Sequence, residues 1–114
     1  MDVIKVKAVS RTAGVAGAIA GVMREQKHAE VQAIGAGAVN QAVKALVLAK
    51  NFLSQDGMDV VFTPEFVNVD IDGKVRTAIK FNVQERGSSG ISEMGELKEV
   101  SELSETGENA DNQL

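Results

Sequence analysis

The residues from Val31 to Ala45 constrain the fold most, because they join three signals in one short stretch. A short apolar run at 31–34 has the character of a buried strand, Gly35-Ala36-Gly37 forms a tight turn, and apolar residues then recur at helical spacing. A helix that begins directly after such a turn presents backbone N–H groups that have no intrahelical acceptor, and these attract anions. The stretch therefore predicts a small α/β domain with an anion-attracting helix start.

The charge distribution divides the chain near residue 87. Residues 1–86 carry 11 Lys and Arg against 9 Asp and Glu, a net charge of +2, whereas residues 87–114 carry one Lys against 7 acidic residues, a net charge of −6. Together they give the chain's net charge of −4. We therefore predict one domain over residues 1–86 and an acidic, largely flexible C-terminal tail over residues 87–114.

The apolar periodicity predicts six elements in the order β-α-β-α-β-β. The predicted strands are 3–9, 29–34, 58–71 with an interruption at Pro64, and 74–84, and the predicted helices are 13–26 and 38–53. Asp72-Gly73 is a two-residue hairpin signal between the last two strands. Crossover connections then give a mixed four-stranded sheet with two helices on one face, a two-layer α+β sandwich with the other sheet face partly open.

Several local features of this fold can be predicted as well. Ser10 or Thr12 can cap the first helix, and Lys27-His28 is expected to end it with positive charge, with His28 as the C-cap residue. In the last strand, alternation places Val75 and Thr77 on the inward face. Glycines inside the first helix are expected to mark close packing against a neighbouring element, namely Gly14, Gly17 and Gly21.

The residues that could take part in catalysis do not indicate any reaction. The chain has no Cys and one His, and no serine has a plausible His–acid partner for nucleophilic catalysis. We therefore expect no enzyme, metal, cofactor or small-molecule substrate. No leader-like segment is recognised at the start, and the longest apolar stretch is too short for a bilayer, so we expect a cytoplasmic protein without membrane contact.

Two turns carry the candidate binding residues, and each permits two interpretations. Ser10-Arg11-Thr12 either contacts phosphate or caps a helix beside one solvated arginine. The second turn either packs helix on strand without a ligand or contacts a phosphate; a dinucleotide site is disfavoured, because the chain is too short for that fold. The candidate nucleic-acid-binding residues are Ser10, Arg11, Thr12, Gly35, Gly37, Asn40, Gln41 and Lys44.

Basic residues on the predicted open sheet face form a weaker candidate binding surface. For them we favour an ordinary solvated face over a binding surface, because neighbouring acidic residues dilute the charge and aromatic residues that stack bases are lacking. The basic residues in question are Lys5, Lys7, Arg76 and Lys80.

Three runs of the chain resemble the stage V sporulation protein S (SpoVS) family, which is similar to the Alba superfamily. The runs are 15–25, 32–45, and 70–73 with 76–80, and the resemblance covers about residues 2–86. It implies an Alba-like fold, a homodimer or higher homo-oligomer, DNA binding of low sequence specificity, and a role in bacterial sporulation or development. Ser10-Arg11-Thr12-Ala13 stands where Alba-type proteins carry a Gly-Lys-Lys-Pro-like segment, and Asp70-Ile71-Asp72-Gly73 makes a short, acidic hairpin where theirs is long and basic.

Two functional hypotheses follow. In the first, the protein is a non-enzymatic, nucleic-acid-binding regulator whose helix starts contact phosphates, a hypothesis that the family resemblance favours. In the second, it is a protein-interaction or self-assembling structural module on an Alba-like scaffold, a hypothesis that the small net charge of +2 on residues 1–86 favours.

Overall fold

A computed structural model describes residues 3–87 of the chain, and it shows the predicted element order. The predicted acidic tail lies outside these residues, apart from Gly87. The elements are β1 (Val3–Val6), α1 (Thr12–Gln26), β2 (His28–Ala33), α2 (Ala36–Gln55), β3 (Val60–Ile71) and β4 (Lys74–Glu85).

The four strands form one mixed sheet in the order β1-β2-β4-β3, as predicted. β1 pairs with β2 in parallel, and the other two pairings are antiparallel. The β2–β4 ladder ends at Ala33↔Ile79, whereas the β3–β4 ladder continues to Ile71↔Lys74. The last hairpin therefore extends well beyond the rest of the sheet. Each of its strands has 12 residues, close to the predicted ranges 58–71 and 74–84, and the predicted Asp72-Gly73 turn joins them.

Both helices pack on one face of the sheet, and the core lies between the two layers. In β2, Ala29, Val31 and Ala33 are buried, and their antiparallel partners in β4 include Phe81 and Val83. No polar or charged residue is buried in the described part of the chain. The period of two in β2 and β4 thus directs apolar side chains to the helices and leaves the polar ones on the open face.

Alanines, rather than glycines, allow the close approach of the two helices. In α1 Ala16 and Ala20 are buried, and in α2 Ala42, Ala45 and Ala49 are fully buried. The predicted close packing at the α1 glycines was wrong, because a Cβ built on any of them would meet no atom within 4 Å. The glycines that sit on the exposed face of α1 are Gly14, Gly17 and Gly21.

The ends of α1 also differ from expectation. Arg11 is the N-cap residue, and no side chain caps the helix. At the other end Lys27 is the C-cap residue in the left-handed conformation, with φ 64°, and its N–H donates to the carbonyl of Met23 at 2.9 Å. His28 is already the first residue of β2, so its predicted role as a helix-ending residue was wrong.

Two further differences lie in the last hairpin. β3 is continuous through Pro64 rather than interrupted there, because β3 is an edge strand, where proline is tolerated. Val75 and Thr77, predicted to face inward, are exposed. They lie beyond the point where β2 ends, so no helix layer covers them.

Candidate nucleic-acid interface

The two connections that lead from a strand into a helix lie at the same end of the sandwich. β1 and β2 are parallel, so the turns after them share one edge of the sheet. β1 ends at Val6, three residues earlier than predicted, because residues 7–10 form a turn. Ser10 closes this turn twice: its N–H donates to the Lys7 carbonyl at 3.0 Å, and its Oγ accepts from the Lys7 N–H at 2.8 Å.

The start of α1 is left without a side-chain cap as a consequence. The Ser10 hydroxyl oxygen accepts the Lys7 N–H, and the predicted cap from Ser10 or Thr12 was wrong. The Arg11 carbonyl accepts the first intrahelical bond, from Val15 at 3.0 Å. The N–H groups before Val15 have no acceptor within the helix, and no acidic residue lies in the first turn.

The start of α2 has the same character. Its N-cap residue is Gly35, at φ 90° and ψ 156°, where a side chain would be strained. The Gly35 carbonyl accepts from Val39 at 3.0 Å, and again there is no side-chain cap and no acidic residue in the first turn. A Cβ built on Gly37 would lie 3.0 Å from the Cβ of Ala8, so the two turns are in close contact.

Gln41 joins the two turns by hydrogen bonds. Its Nε2 donates to the Ser10 carbonyl at 2.7 Å and to the Thr12 Oγ1 at 3.4 Å. A residue in the second turn of α2 therefore fixes the position of the α1 start. Sequence reasoning selected Gln41 as a phosphate donor, whereas the amide hydrogens of its side chain are directed to the neighbouring turn. We call these two helix starts, residues 7–14 and 35–41, the paired-turn surface.

The two chain segments that carry the paired-turn surface have charges of one sign. The segments 3–24 and 31–55 contain six Lys and Arg and no Asp or Glu. Lys7, Arg11 and Lys44 are exposed, and none of them forms an ion pair with another described residue. Lys44 lies on α2 three residues beyond Gln41, and Asn40 is exposed beside it. The structure thus brings the eight predicted residues to one region, with three unpaired cations in or beside it.

The basic residues predicted for the open sheet face are dispersed by comparison. Lys80 lies 3.9 Å from Glu30, Arg76 is on the extended hairpin, and Lys7 belongs to the first turn rather than to β1. Two other arginines are paired with acidic residues at 2.7 Å, Arg24 with Asp56 and Arg86 with Asp59. The favoured interpretation, an ordinary solvated face, is consistent with the positions of Arg76 and Lys80, whereas Lys5 and Lys7 line one cleft.

Within residues 3–87 no group of three or more His, Cys, Asp and Glu side chains is placed to hold a metal ion. Neither α1 nor α2 is long and apolar enough to cross a membrane.

The family comparison agrees with the resemblance seen in the sequence. Residues 2–86 match the family described as Stage V sporulation protein S (SpoVS), so the match spans the whole of the described domain except Gly87. The acidic residues that follow lie outside the match. With three-quarters of its length matched, the chain belongs to the sporulation-related SpoVS family.

Proposed function

We propose that the protein is a non-enzymatic, cytoplasmic DNA-binding protein that acts in sporulation and contacts phosphates through the paired-turn surface. The observation that carries the proposal is the pair of uncapped helix starts beside unpaired cations. Each helix start adds a partial positive charge of about half a unit. No acidic residue of segments 3–24 and 31–55 opposes this field.

Low sequence specificity follows from the same geometry. Backbone N–H groups and the ends of Lys and Arg side chains contact phosphates, which carry no sequence information directly. The paired-turn surface includes no aromatic residue on which a base can stack. The interface therefore fits the backbone of a duplex better than the edges of its bases.

A homodimer is part of this proposal, and the extended hairpin supplies its surface. The side of the hairpin that continues the helix-facing side of the sheet carries Phe66, which is 77% exposed, and Val75, which is 69% exposed. A shallow groove of about 400 Å³ lies between the hairpin and the start of α2, lined among others by Phe66, Ile79 and Val39. Burying this surface against a second copy removes apolar area from water.

The same observation favours the second candidate function, a self-assembling structural module without a nucleic-acid role. That alternative uses the hairpin surface alone and makes no use of the cations on the paired-turn surface. Substitution of these cations should therefore weaken DNA binding if the first function holds and should leave self-assembly unchanged if the second holds.

The experiment is a binding titration of the full chain with fluorescently labelled duplex and single-stranded DNA. Replacing Arg11 and Lys44 by Gln should weaken duplex binding about ten- to hundredfold at 0.1 M salt, because two phosphate contacts are lost. The matched control replaces Lys27 and Lys74, which are exposed cations elsewhere, by Gln and should have little effect. Equal loss in both variants, or no binding by the unmodified protein, would contradict the proposal and leave self-assembly as the function to test.

A further inference from the structure

A cleft on the open side of the sheet has two lysines and an apolar lining. It has a volume of about 520 Å³ and lies between the end of β1 and the extended hairpin. One wall is formed by residues 5–8, the opposite wall by residues 69–71, and the floor by Gln32 and Ile34. Val69 and Ile71 give the hairpin wall its apolar character, and Ile71 is 42% exposed.

The charge of this cleft is unbalanced. Lys5 and Lys7 are exposed and form no ion pair with other described residues. The one acidic residue of the lining, Asp70, already accepts the Gly73 N–H at 2.9 Å. The apolar groove on the other side of the hairpin has no lysine or arginine among the described residues that line it. The lysine cleft thus fits a partner that is both acidic and apolar.

The chain beyond Gly87 has this composition in a regular order. Residues 91–105 consist of five consecutive triplets in which an apolar residue comes first and a glutamate third. The apolar residues are Ile91, Met94, Leu97, Val100 and Leu103, and the glutamates are Glu93, Glu96, Glu99, Glu102 and Glu105. A single lysine, Lys98, interrupts the negative charge.

The cleft is within reach of this segment. β4 ends at Glu85, and the hairpin wall of the cleft pairs with residues 74–76, nine to eleven residues back along the same strand. Eleven residues of a strand span about 36 Å. Residues 86–101 number 16 and can span about 55 Å when extended. The triplet segment can therefore reach the cleft of its own chain.

We propose that residues 91–105 bind in the lysine cleft of the same molecule, with glutamates on Lys5 and Lys7 and apolar residues against Val69 and Ile71. This binding does not depend on the DNA-binding proposal. If both hold, the segment covers Lys7 at the border of the paired-turn surface and competes there with phosphate.

The absence of cysteine allows a direct test in the full chain. A nitroxide spin label on Ser101→Cys should selectively broaden the amide NMR signals of Gln32, Val69 and Ile71. The amides of Gly17 and Gly21, on the exposed face of α1, should keep their intensity and serve as an internal control. Broadening spread evenly over the domain, or absent from the cleft, would overturn the proposal.

Two controls separate the proposed contact from its alternatives. Lys5→Glu with Lys7→Glu should abolish the broadening, whereas Lys27→Glu with Lys50→Glu, which changes the net charge equally, should preserve it. A mixture of spin-labelled chains and isotope-labelled chains without spin label should show no broadening. Broadening in the mixture would mean that the segment binds a second copy, and equal loss in both charge variants would mean non-specific attraction; either result overturns the proposal.

Discussion

At the scale of single residues, the paired-turn surface depends on two small but specific contacts. Gly37 allows α2 to begin against Ala8, and Gln41 ties α2 to the backbone of the first turn at Ser10. Neither residue carries a charge, so neither is a strong phosphate ligand. Their role is to hold the two helix starts side by side, and this gives separate predictions for each.

Substitution of Gly37 by Ala should destabilise the protein. The added methyl group would lie 3.0 Å from the Ala8 Cβ, and over-packing of this kind costs about 1–3 kcal/mol, partly offset by the higher helix propensity of Ala. The matched control is Gly17→Ala, where nothing lies within 4 Å, and it should stabilise by up to about 1 kcal/mol. Urea unfolding of the full chain measures both, and stabilisation by Gly37→Ala would contradict the close contact between the turns.

Substitution of Gln41 by Met keeps the length of the side chain and removes its donors. The loss of the bond to the Ser10 carbonyl should cost about 0.5–1.5 kcal/mol of the free energy of unfolding. Duplex binding should weaken as well, because the α1 start is no longer fixed. Asn40→Ala, on the neighbouring exposed position, should leave stability nearly unchanged. If both variants unfold at the same urea concentration, the bond from Gln41 to Ser10 does not stabilise the fold.

At the scale of elements, the apolar residues proposed for self-association lie on the extended hairpin and not in the core. Phe66 lies level with Ala33, where β2 ends, since both pair with Ile79, and Val75 lies beyond this point. Both side chains are largely exposed, so they contribute little to the stability of one chain. Beyond Ile79 the edges of the hairpin pair with no third strand among residues 3–87. An exposed, apolar two-stranded extension of this kind favours association with another molecule.

Phe66→Ser should therefore lower self-association without unfolding the domain. The expected result in sedimentation equilibrium is a shift of the full chain toward the monomer, with thermal unfolding at high dilution almost unchanged. Val9→Ser is the control, because Val9 is 87% exposed and belongs to the first turn rather than to the hairpin. A monomeric unmodified protein, or equal dissociation by both variants, would show that the hairpin is not the dimer surface.

At the scale of the whole molecule, periodicity predicted the architecture but not the ends of its parts. The alternation in β2 and β4 and the helical spacing after Gly35 are signals from neighbouring residues, and the predicted order and layers are confirmed. How far the hairpin extends beyond the sheet depends on where β2 ends, at Ala33. The sequence of the hairpin itself does not contain that information. The alternation in β4 places Val75 on the helix-facing side but cannot show that no helix covers it there.

The candidate site was predictable in position and less so in the roles of its residues. Glycines and hydroxyl residues between a strand and a helix identified both turns. The bond from Gln41 to Ser10 joins residues 31 apart, so no local pattern reveals it. Likewise, the oxygen of Ser10 accepts within its own turn instead of capping α1, an alternative that local sequence leaves open. Phosphate binding by the eight residues stays a prediction.

Phosphate recognition by the paired-turn surface can be measured as the salt dependence of duplex binding. Fluorescence anisotropy of a labelled duplex with the full chain, over a series of salt concentrations, gives the slope of log K against log salt. Contacts from Lys7, Arg11 and Lys44 predict a slope of about −2.7 for each chain bound, falling to about −0.9 in the Arg11→Gln, Lys44→Gln variant. Absence of binding at low salt, or the same slope in both proteins, would contradict phosphate recognition by the paired-turn surface.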